Sequence, residues 1–377
     1  MPKSVQQAVI IAAGSSTRTH PLTLSTPKPM LPVCGLPLIC HNLKALSGAG
    51  ISKVIIVVGY RRDQIQCTLG ARQYGMELVY VRQEERNGTA TAVKLAQPHL
   101  DDDSFLLLMG DDLCQQQALT KLAHCKSNTA LAAKVDDPLR FGVFTTAPEA
   151  PNLPTDLVEK PASGSRERWV NTGAYIFSYV LFNLLDEIAP SSRGEYELTD
   201  AIKLLIRKAQ FRLLLGDEQM GRVWQPVGYP WELLDAFDFL KGNQAVYVHP
   251  EARVAENVRL AGRINIEKGA RIDEGAVLFD CYVGPDAHIG RRVNLRSCII
   301  GMGAEIGDET HGDDHAPEGE TVDTYIAGKV TSSHKTLLGA VVGDYAQVGA
   351  EVQLAPGTVL WQMARVPAGS WAHGLIY

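Results

Sequence analysis

The stretch AVIIAAGSSTRTHPLTLSTPKPMLPV, residues 8–33, is the most informative part of the chain. Its apolar run, residues 8–13, shows none of the alternation of a half-solvated strand. It therefore reads as a strand covered on both faces, as in a parallel sheet. The run passes directly into Gly14-Ser15-Ser16-Thr17-Arg18, small residues ending on a guanidinium. Open α/β sheets bind anions at the carboxyl ends of their strands, where backbone N–H groups and helix N-termini point. Ten residues after Arg18 comes Lys28, held between Pro27 and Pro29, which restrict its backbone. Two cations and a small-residue loop at a strand end suit a triphosphate. The spacing matches neither the Walker loop nor the dinucleotide G-x-G-x-x-G pattern.

Outward from this stretch, up to about residue 215, apolar strands alternate with helical segments. The strand-like runs are 53–58, 77–81, 105–109, 130–134, 173–177 and 211–215; the helical ones are 37–48, 89–96, 115–124, 179–188 and 197–208. Strands separated by ten to fifteen helical residues mean βαβ units and a mainly parallel sheet. Residues 151–168, rich in Pro, Ser and Gly, read as a surface excursion. YPWELLDAFDFLKG (229–242), with Pro near its start and Gly at its end, predicts a connecting helix.

Beyond Gly242 the periodicity changes. Aliphatic residues fall six apart at Val248, Val254, Leu260, Ile266, Ile272 and Leu278, continue through Val283, Ile289, Leu295, Ile300 and Ile306, and resume at Val342, Val348, Leu354, Leu360 and Val366. A period of six is neither helical nor that of an ordinary strand. It is the hexapeptide repeat of a parallel β-helix, in which each aliphatic points into a narrow prism and three hexads close one coil. The chain thus divides into residues 1–229, a connecting helix over 230–243, and repeats over 244–377.

Composition narrows the function. The 377 residues are 45% hydrophobic and 21% charged with a net charge of −6, so no basic surface for nucleic acid is implied. Seven scattered cysteines without a C-x-x-C pair predict reduced thiols in a cytoplasmic protein. The N-terminal apolar run is short for a signal peptide, and no segment approaches membrane-spanning length.

AAGSSTR (12–18) with TPKPMLPV (26–33) resembles the sugar-1-phosphate nucleotidylyltransferases, or pyrophosphorylases, whose pattern is roughly A-A-G-x-G-T-R followed by P-K-P-M/L. The resemblance covers nearly the whole chain and implies a Rossmann-like domain followed by a left-handed β-helix, in the manner of the archaeal bifunctional enzymes. It also assigns residues. Ala13, Gly14, Ser15, Ser16 and Thr17 would hold the nucleotide, and in RQEERNGTA (82–90) Gln83, Gly88 and Thr89 would meet the base. From the residues alone, Thr89 is equally a helix N-cap. Asp111, in MGDD (109–112), would hold Mg²⁺, which takes carboxylate oxygens together with substrate phosphates; the role of Asp112 stays open. Gly142 in RFGVF, Glu159 in LVEKP and Asn171 in VNTGAYIF would contact the sugar, with Lys160 on its phosphate. Adjacent Glu159 and Lys160 serve one ligand only if the backbone leaves strand geometry there, which Pro161 favours. Glu197 is a further candidate.

Two departures stand out. Ser16 occupies the family's second glycine position, a strain if that residue has positive φ. In WQPVGYPW (224–231), Pro226 replaces the aspartate that is commonly the second metal ligand, which leaves Asp112, Asp200, Asp217 or water to substitute. The resemblance implies in-line displacement. A sugar 1-phosphate oxygen attacks the α-phosphorus of uridine or thymidine triphosphate, with Arg18, Lys28, Lys160 and Mg²⁺ neutralising charge. The repeat region would serve homo-oligomerisation. The acyl-transfer histidine segment of the bifunctional enzymes is replaced here by GMGAEIGDETHGDDHAPEGETVDTYIAGK (301–329), so acetyl transfer is not expected. The polar run His311, Asp313, Asp314, His315 reads as a solvated loop. The alternative readings are a weakly catalytic nucleotide-sugar-binding or regulatory relative, and a bifunctional enzyme that retains acetyltransferase activity.

Overall fold

The computed structural model describes residues 5–85, 87–135, 137–161, 169–192, 194–216, 219–317 and 320–377. They fall into two compact units. The first takes the chain up to Ser15 and again over Ile39–Pro226; the second takes Ser16–Leu38 and Val227–Tyr377. The division therefore passes through the small-residue loop itself, between Ser15 and Ser16.

In the first unit the parallel strands are β1 (Gln7–Ala12), β2 (Lys53–Val58), β3 (Met76–Arg82) and β4 (Ser104–Met109), in the order β4-β1-β2-β3. Every residue of β1 is buried, as its unbroken apolar run predicts. Between them lie α1 (Leu38–Gly48), α2 (Arg62–Leu69) and α3 (Thr89–Ala96). The chain continues through α4 (Gln116–Ala123), β5 (Thr129–Lys134), β6 (Gly142–Ala147), β7 (Ala150–Glu159), β8 (Trp169–Ser178), α5 (Val180–Leu185), α6 (Leu198–Arg207) and β9 (Arg212–Leu215). Strand β8 enters antiparallel to β4 and carries β6 and β5; β7 lies outside β6. The sheet is parallel at its centre, β8 is antiparallel to each of its neighbours, and β9 pairs parallel with β5.

One expectation fails here. Residues 150–159 are not a surface excursion but strand β7, paired antiparallel with β6. Its prolines, Pro151 and Pro154, are tolerated because β7 is an edge strand with one unpaired side. Residues 162–168, the rest of that stretch, lie outside the described residues.

In the second unit α7 (Glu232–Leu240) is followed by short parallel strands stacked in columns. One column runs Val254, Ile272, Ile289, Ile306, Val348, Val366, each paired with the next. A second runs Val248, Ile266, Val283, Ile300, Val342, Leu360, and a third Leu260, Leu278, Leu295, Gly312, Leu354. This is a parallel β-helix with the coil repeat read from the sequence. From Ile264 to Val366 its aliphatic interior is closed to solvent. The first coil departs from that: Val248 is 37% exposed, since no earlier coil covers it. Between Gly312 and Val342 the chain leaves the prism and forms a hairpin, Asp323–Ile326 against Lys329–Ser332. It returns where Leu338 N–H donates to Asp314 O at 2.8 Å.

Candidate active site

The carboxyl edge of the parallel strands in the first unit orders three of the candidate groups. Ile11 pairs with Met109, so two residues further on Ala13 and Asp111 come level. Gly110 N–H donates to Ile11 O at 2.8 Å and locks that turn. On the other side of β1, Ala12 pairs with Val58, and a Cβ at Gly59 would lie 2.7 Å from Ala13 O. Beyond β2, Gln83 N–H donates to Val58 O at 2.9 Å. The edge therefore reads Asp111, Ala13, Gly59, Gln83. Gly14 is exposed, and a Cβ there would meet nothing within 4 Å.

Gln83, Gly88 and Thr89 form one constellation. Gln83 is 7% exposed and its amide donates to Gly88 O at 3.1 Å. Gly88 has φ 116°, and a Cβ would stand 2.2 Å from Tyr196 O, so only glycine fits. Thr89 opens α3 but does not cap it; its hydroxyl accepts from Leu198 N–H at 3.1 Å and caps α6 instead. As an N-cap of its own helix Thr89 is corrected: Gly88 holds that position, and the Thr89 hydroxyl serves the first turn of α6. Asn87 Oδ1 is buried with no hydrogen-bond partner among the described residues.

Gly142, Glu159 and Asn171 form a second. Gly142 pairs with Glu159 across β6 and β7, and a Cβ on Gly142 would lie 3.0 Å from Glu159 Oε2 and 3.5 Å from Asn171 Cβ. Because β8 runs antiparallel to β4, with Tyr175 opposite Leu107, Asn171 falls toward the same edge as Asp111. Tyr175, buried behind this group, is a residue sequence reasoning missed. Burial raises its phenol well above the ordinary range, Asn171 offsets that through a hydrogen bond, and Glu159 adds to the rise. Lys160 has φ 45°, so the backbone leaves strand geometry directly after Glu159.

Asp111 and Asp112 follow β4. Asn42 clamps this turn, donating to Asp112 O at 2.6 Å and accepting from Cys114 N–H at 3.2 Å. Trp224–Gln225 pairs antiparallel with Leu113–Cys114, Gln225 opposite Leu113, which puts Pro226 one step on, beside Asp112. Of the substitutes for the missing aspartate, Asp200 pairs with Lys203 at 3.1 Å on α6, and Asp217 lies outside the described residues. Among the described residues, no three His, Cys, Asp or Glu side chains cluster as a protein-only metal cage. One carboxylate beside a loop of small residues still fits a divalent ion that completes its shell with substrate oxygens and water.

In the second unit, Ser16 has φ 54° and ψ 36°, the left-handed conformation that made serine at this position a strain. Ser16 O accepts from Thr19 N–H at 3.0 Å and Thr23 Oγ1 at 2.8 Å. Thr17 and Arg18 are exposed in the following turn, with the Arg18 guanidinium 5.8 Å from the Tyr229 ring centroid. Lys28 is 5% exposed, and its ammonium donates to Val227 O. Thr19 Oγ1 donates to Gly228 O at 3.3 Å, and Glu232 accepts from the N–H groups of Gly228 and Tyr229. Two motifs far apart in sequence, the loop with Lys28 and VGYPWE (227–232), thus interlock. In the polar run, His311, Asp313 and His315 are exposed, whereas Asp314 is 1% exposed and accepts from Ser297 Oγ at 2.7 Å. Asp314 corrects the solvated-loop reading: it is a clasp at the base of the excursion.

A parallel sheet that carries a loop of small residues, an acid and two clusters of polar side chains on one edge has the architecture of a nucleotide-transferring enzyme. The chain belongs to the nucleotidyl transferase family, whose model matches residues 7–243, and residues 242–362 match a GMPPB C-terminal domain. Members of this family use a divalent metal. The chain is 31% identical over 393 residues to the bifunctional protein GlmU of Methanococcus vannielii, covering 93% of this chain and 91% of that one. It is 26% identical to a bifunctional sugar-1-phosphate nucleotidylyltransferase/acetyltransferase of Sulfurisphaera tokodaii (97% and 96% covered). It is 28% identical to a mannose-1-phosphate guanyltransferase of Candida albicans (88% and 97%). A solved UDP-glucose pyrophosphorylase with UDP-glucose shares the fold, with a TM-score of 0.56 over 64% of this chain and 100% of that one at 21% identity. No helix among the described residues is long and apolar enough to cross a membrane.

Proposed function

We propose that the protein transfers UMP or dTMP from its nucleoside triphosphate to a sugar 1-phosphate, releasing pyrophosphate. The observation that carries this reading is the order along one sheet edge: Gln83 with Gly88, then Ala13, then Asp111, then Asn171 with Glu159 and Gly142. That is the order of base, phosphates, metal acid and sugar in the product. Gln83 and the Gly88–Thr89 backbone take the base, Ala13, Gly14, Ser15, Ser16 and Thr17 take the phosphates, and Glu159, Asn171 and Gly142 take the sugar.

A sugar 1-phosphate oxygen is already anionic at neutral pH, so no general base is needed. One P–O bond forms at the α-phosphorus as the bond to the β-phosphate oxygen breaks, and pyrophosphate leaves with that electron pair. The protein aligns both partners and neutralises charge. Asp111 would hold Mg²⁺, which when bound offsets charge on the α- and β-phosphates. Arg18, Lys28 and Lys160 supply the fixed positive charge. The chemistry belongs to residues 1–229, with 230–243 as the connecting helix. The repeats of 244–377 form a left-handed helix that serves homo-oligomerisation in a cytoplasmic enzyme.

A second reading has its own support. The GMPPB C-terminal match and the guanyltransferase relative favour a guanine base and mannose. Pyrophosphate release from four nucleoside triphosphates against glucose, N-acetylglucosamine, glucosamine and mannose 1-phosphates separates the two. Thiol release from acetyl-CoA is expected to be absent. Silence across the whole matrix overturns the transfer reading.

A further inference from the structure

Segment 16–38 carries Ser16, Thr17, Arg18 and Lys28, yet it packs as part of the β-helix unit. Alongside the buried apolar residues Leu22, Leu31 and Val33, polar contacts hold it there. Ser25 Oγ donates to Asp344 Oδ2, while Asp344 Oδ1 accepts from Met302 N–H at 2.9 Å, and Asp344 is 3% exposed. Tyr282 Oη donates to Pro32 O at 2.9 Å. Cys34 N–H donates to Asn265 Oδ1 at 2.8 Å, and Gly35 N–H to the Glu267 carboxylate at 3.2 Å. The His20 ring stands edge-on to Trp361 with centroids 5.6 Å apart.

A buried carboxylate is costly unless hydrogen-bonded. At other coil corners Asp280 and Asp308 each accept a backbone N–H of the coil before with one oxygen and an arginine, Arg263 or Arg291, with the other; Asp344 Oδ1 makes the same backbone bond to Met302. Asp344 instead spends its second oxygen on the loop. From Ser25 the chain reaches Lys28 in three residues, through Thr26 and Pro27. That path is stiff: Pro27 and Pro29 fix φ, Met30 N–H donates to Pro27 O at 2.7 Å, and Leu31 N–H to Lys28 O at 3.0 Å. A constraint at Ser25 therefore reaches the Lys28 backbone with little slack.

We propose that Asp344 is a positioning residue for nucleotidyl transfer: through its bond to Ser25 the β-helix sets where the Lys28 ammonium stands. The β-helix is then part of the catalytic apparatus and not only a platform for assembly. This rests on the reading that Lys28 meets the triphosphate. It also extends that reading, because it assigns a role in the transfer step to a residue of the repeat region.

The test uses the full chain with Asp344→Ala, Asp344→Asn and Ser25→Ala, each measured by amide hydrogen exchange and by steady-state kinetics in both substrates. Asp344→Ala and Ser25→Ala are expected to speed exchange within residues 20–31 while the coils at 264–300 and 346–366 stay protected. Their kcat/KM for the nucleotide should fall at least tenfold, with KM for the sugar phosphate unchanged. Asp344→Asn, which keeps an acceptor and gains a donor for Ser25, should restore loop protection and turnover. Unchanged exchange in 20–31, a loosened loop with undiminished turnover, or an Asn variant as impaired as the Ala variant each overturns the proposal. If Asp344→Ala does not fold, Ser25→Ala alone decides. A wild-type chain that releases no pyrophosphate refutes the transfer reading instead, and the exchange data still show whether Asp344 holds the loop.

Discussion

In the sheet unit the groups with chemistry stand where strands stop: Ala13 follows β1, Gln83 follows β3, and Asp111 comes two residues after β4. In the β-helix the repeating residues go inward, and Ile272, Ile289, Ile306 and Val348 lie one above another with almost no exposure. The first arrangement uses a rigid core to aim different side chains at one edge. The second uses sameness to build a stiff rod. What the difference teaches is where substitutions should separate stability from turnover, and where segment 16–38 blurs that line.

The sharpest stability contrast is Ile289→Ala. Its side chain is fully buried between two coils, so its loss should cost about 2–5 kcal/mol. That is read as a lower midpoint for the β-helix transition in calorimetry. Asp111→Asn should do the reverse, with an unchanged midpoint and a drop in turnover of roughly 10²–10³-fold, about 2.7–4 kcal/mol by analogy with lost transition-state contacts. Undiminished turnover in that variant removes the metal assignment.

Asp344 gives a pH test of the blurred region. Burial lifts its carboxyl to about 6, against the hydrogen bonds from Ser25 and Met302 N–H, and the titratable group facing it is Tyr282. A raised carboxyl binds its proton more tightly in the folded state. Its contribution is therefore fully present below about pH 4 and is lost as pH rises through about 6, a change of up to roughly 3 kcal/mol. Asp344→Asn should flatten that slope in denaturant titrations at pH 4, 5.5 and 7. An unchanged slope would show that another group carries it.

Gly88→Ala follows, with an expected loss of at least about 1–3 kcal/mol from backbone strain and a raised KM for the nucleotide alone, since the new methyl meets Tyr196 O. Ser16→Gly is the smallest. Relief of the left-handed strain, about 1–2 kcal/mol, is partly cancelled by glycine's unfolded-state entropy of roughly 0.5–1 kcal/mol. The net gain should stay below about 1 kcal/mol in thermal denaturation.

Much of this was legible in the sequence. The parallel core announced itself through unbroken apolar runs, and 53–58 and 89–96 were read to the residue. The six-residue period yielded the columns because the coil imposes it on every turn. The hairpin of β6 and β7 did not show, because Pro151 and Pro154 look like loop punctuation until their strand is known to be an edge. The grip on segment 16–38 had no local signal either. Cys34 and Asn265 stand 231 positions apart, and a backbone N–H meeting a distant side chain leaves no periodicity. Thr89 is the intermediate case, since its hydroxyl announced a cap and only the fold shows that the cap belongs to α6.

The most direct test is a crystal structure of the full chain with an unreactive nucleoside triphosphate analogue, Mg²⁺ and a sugar 1-phosphate. Nucleotidyl transfer requires the base against Gln83 and Gly88, the phosphates along 13–17 with the ion on Asp111, and the sugar between Glu159 and Asn171. Ligands bound elsewhere with that edge empty would contradict it.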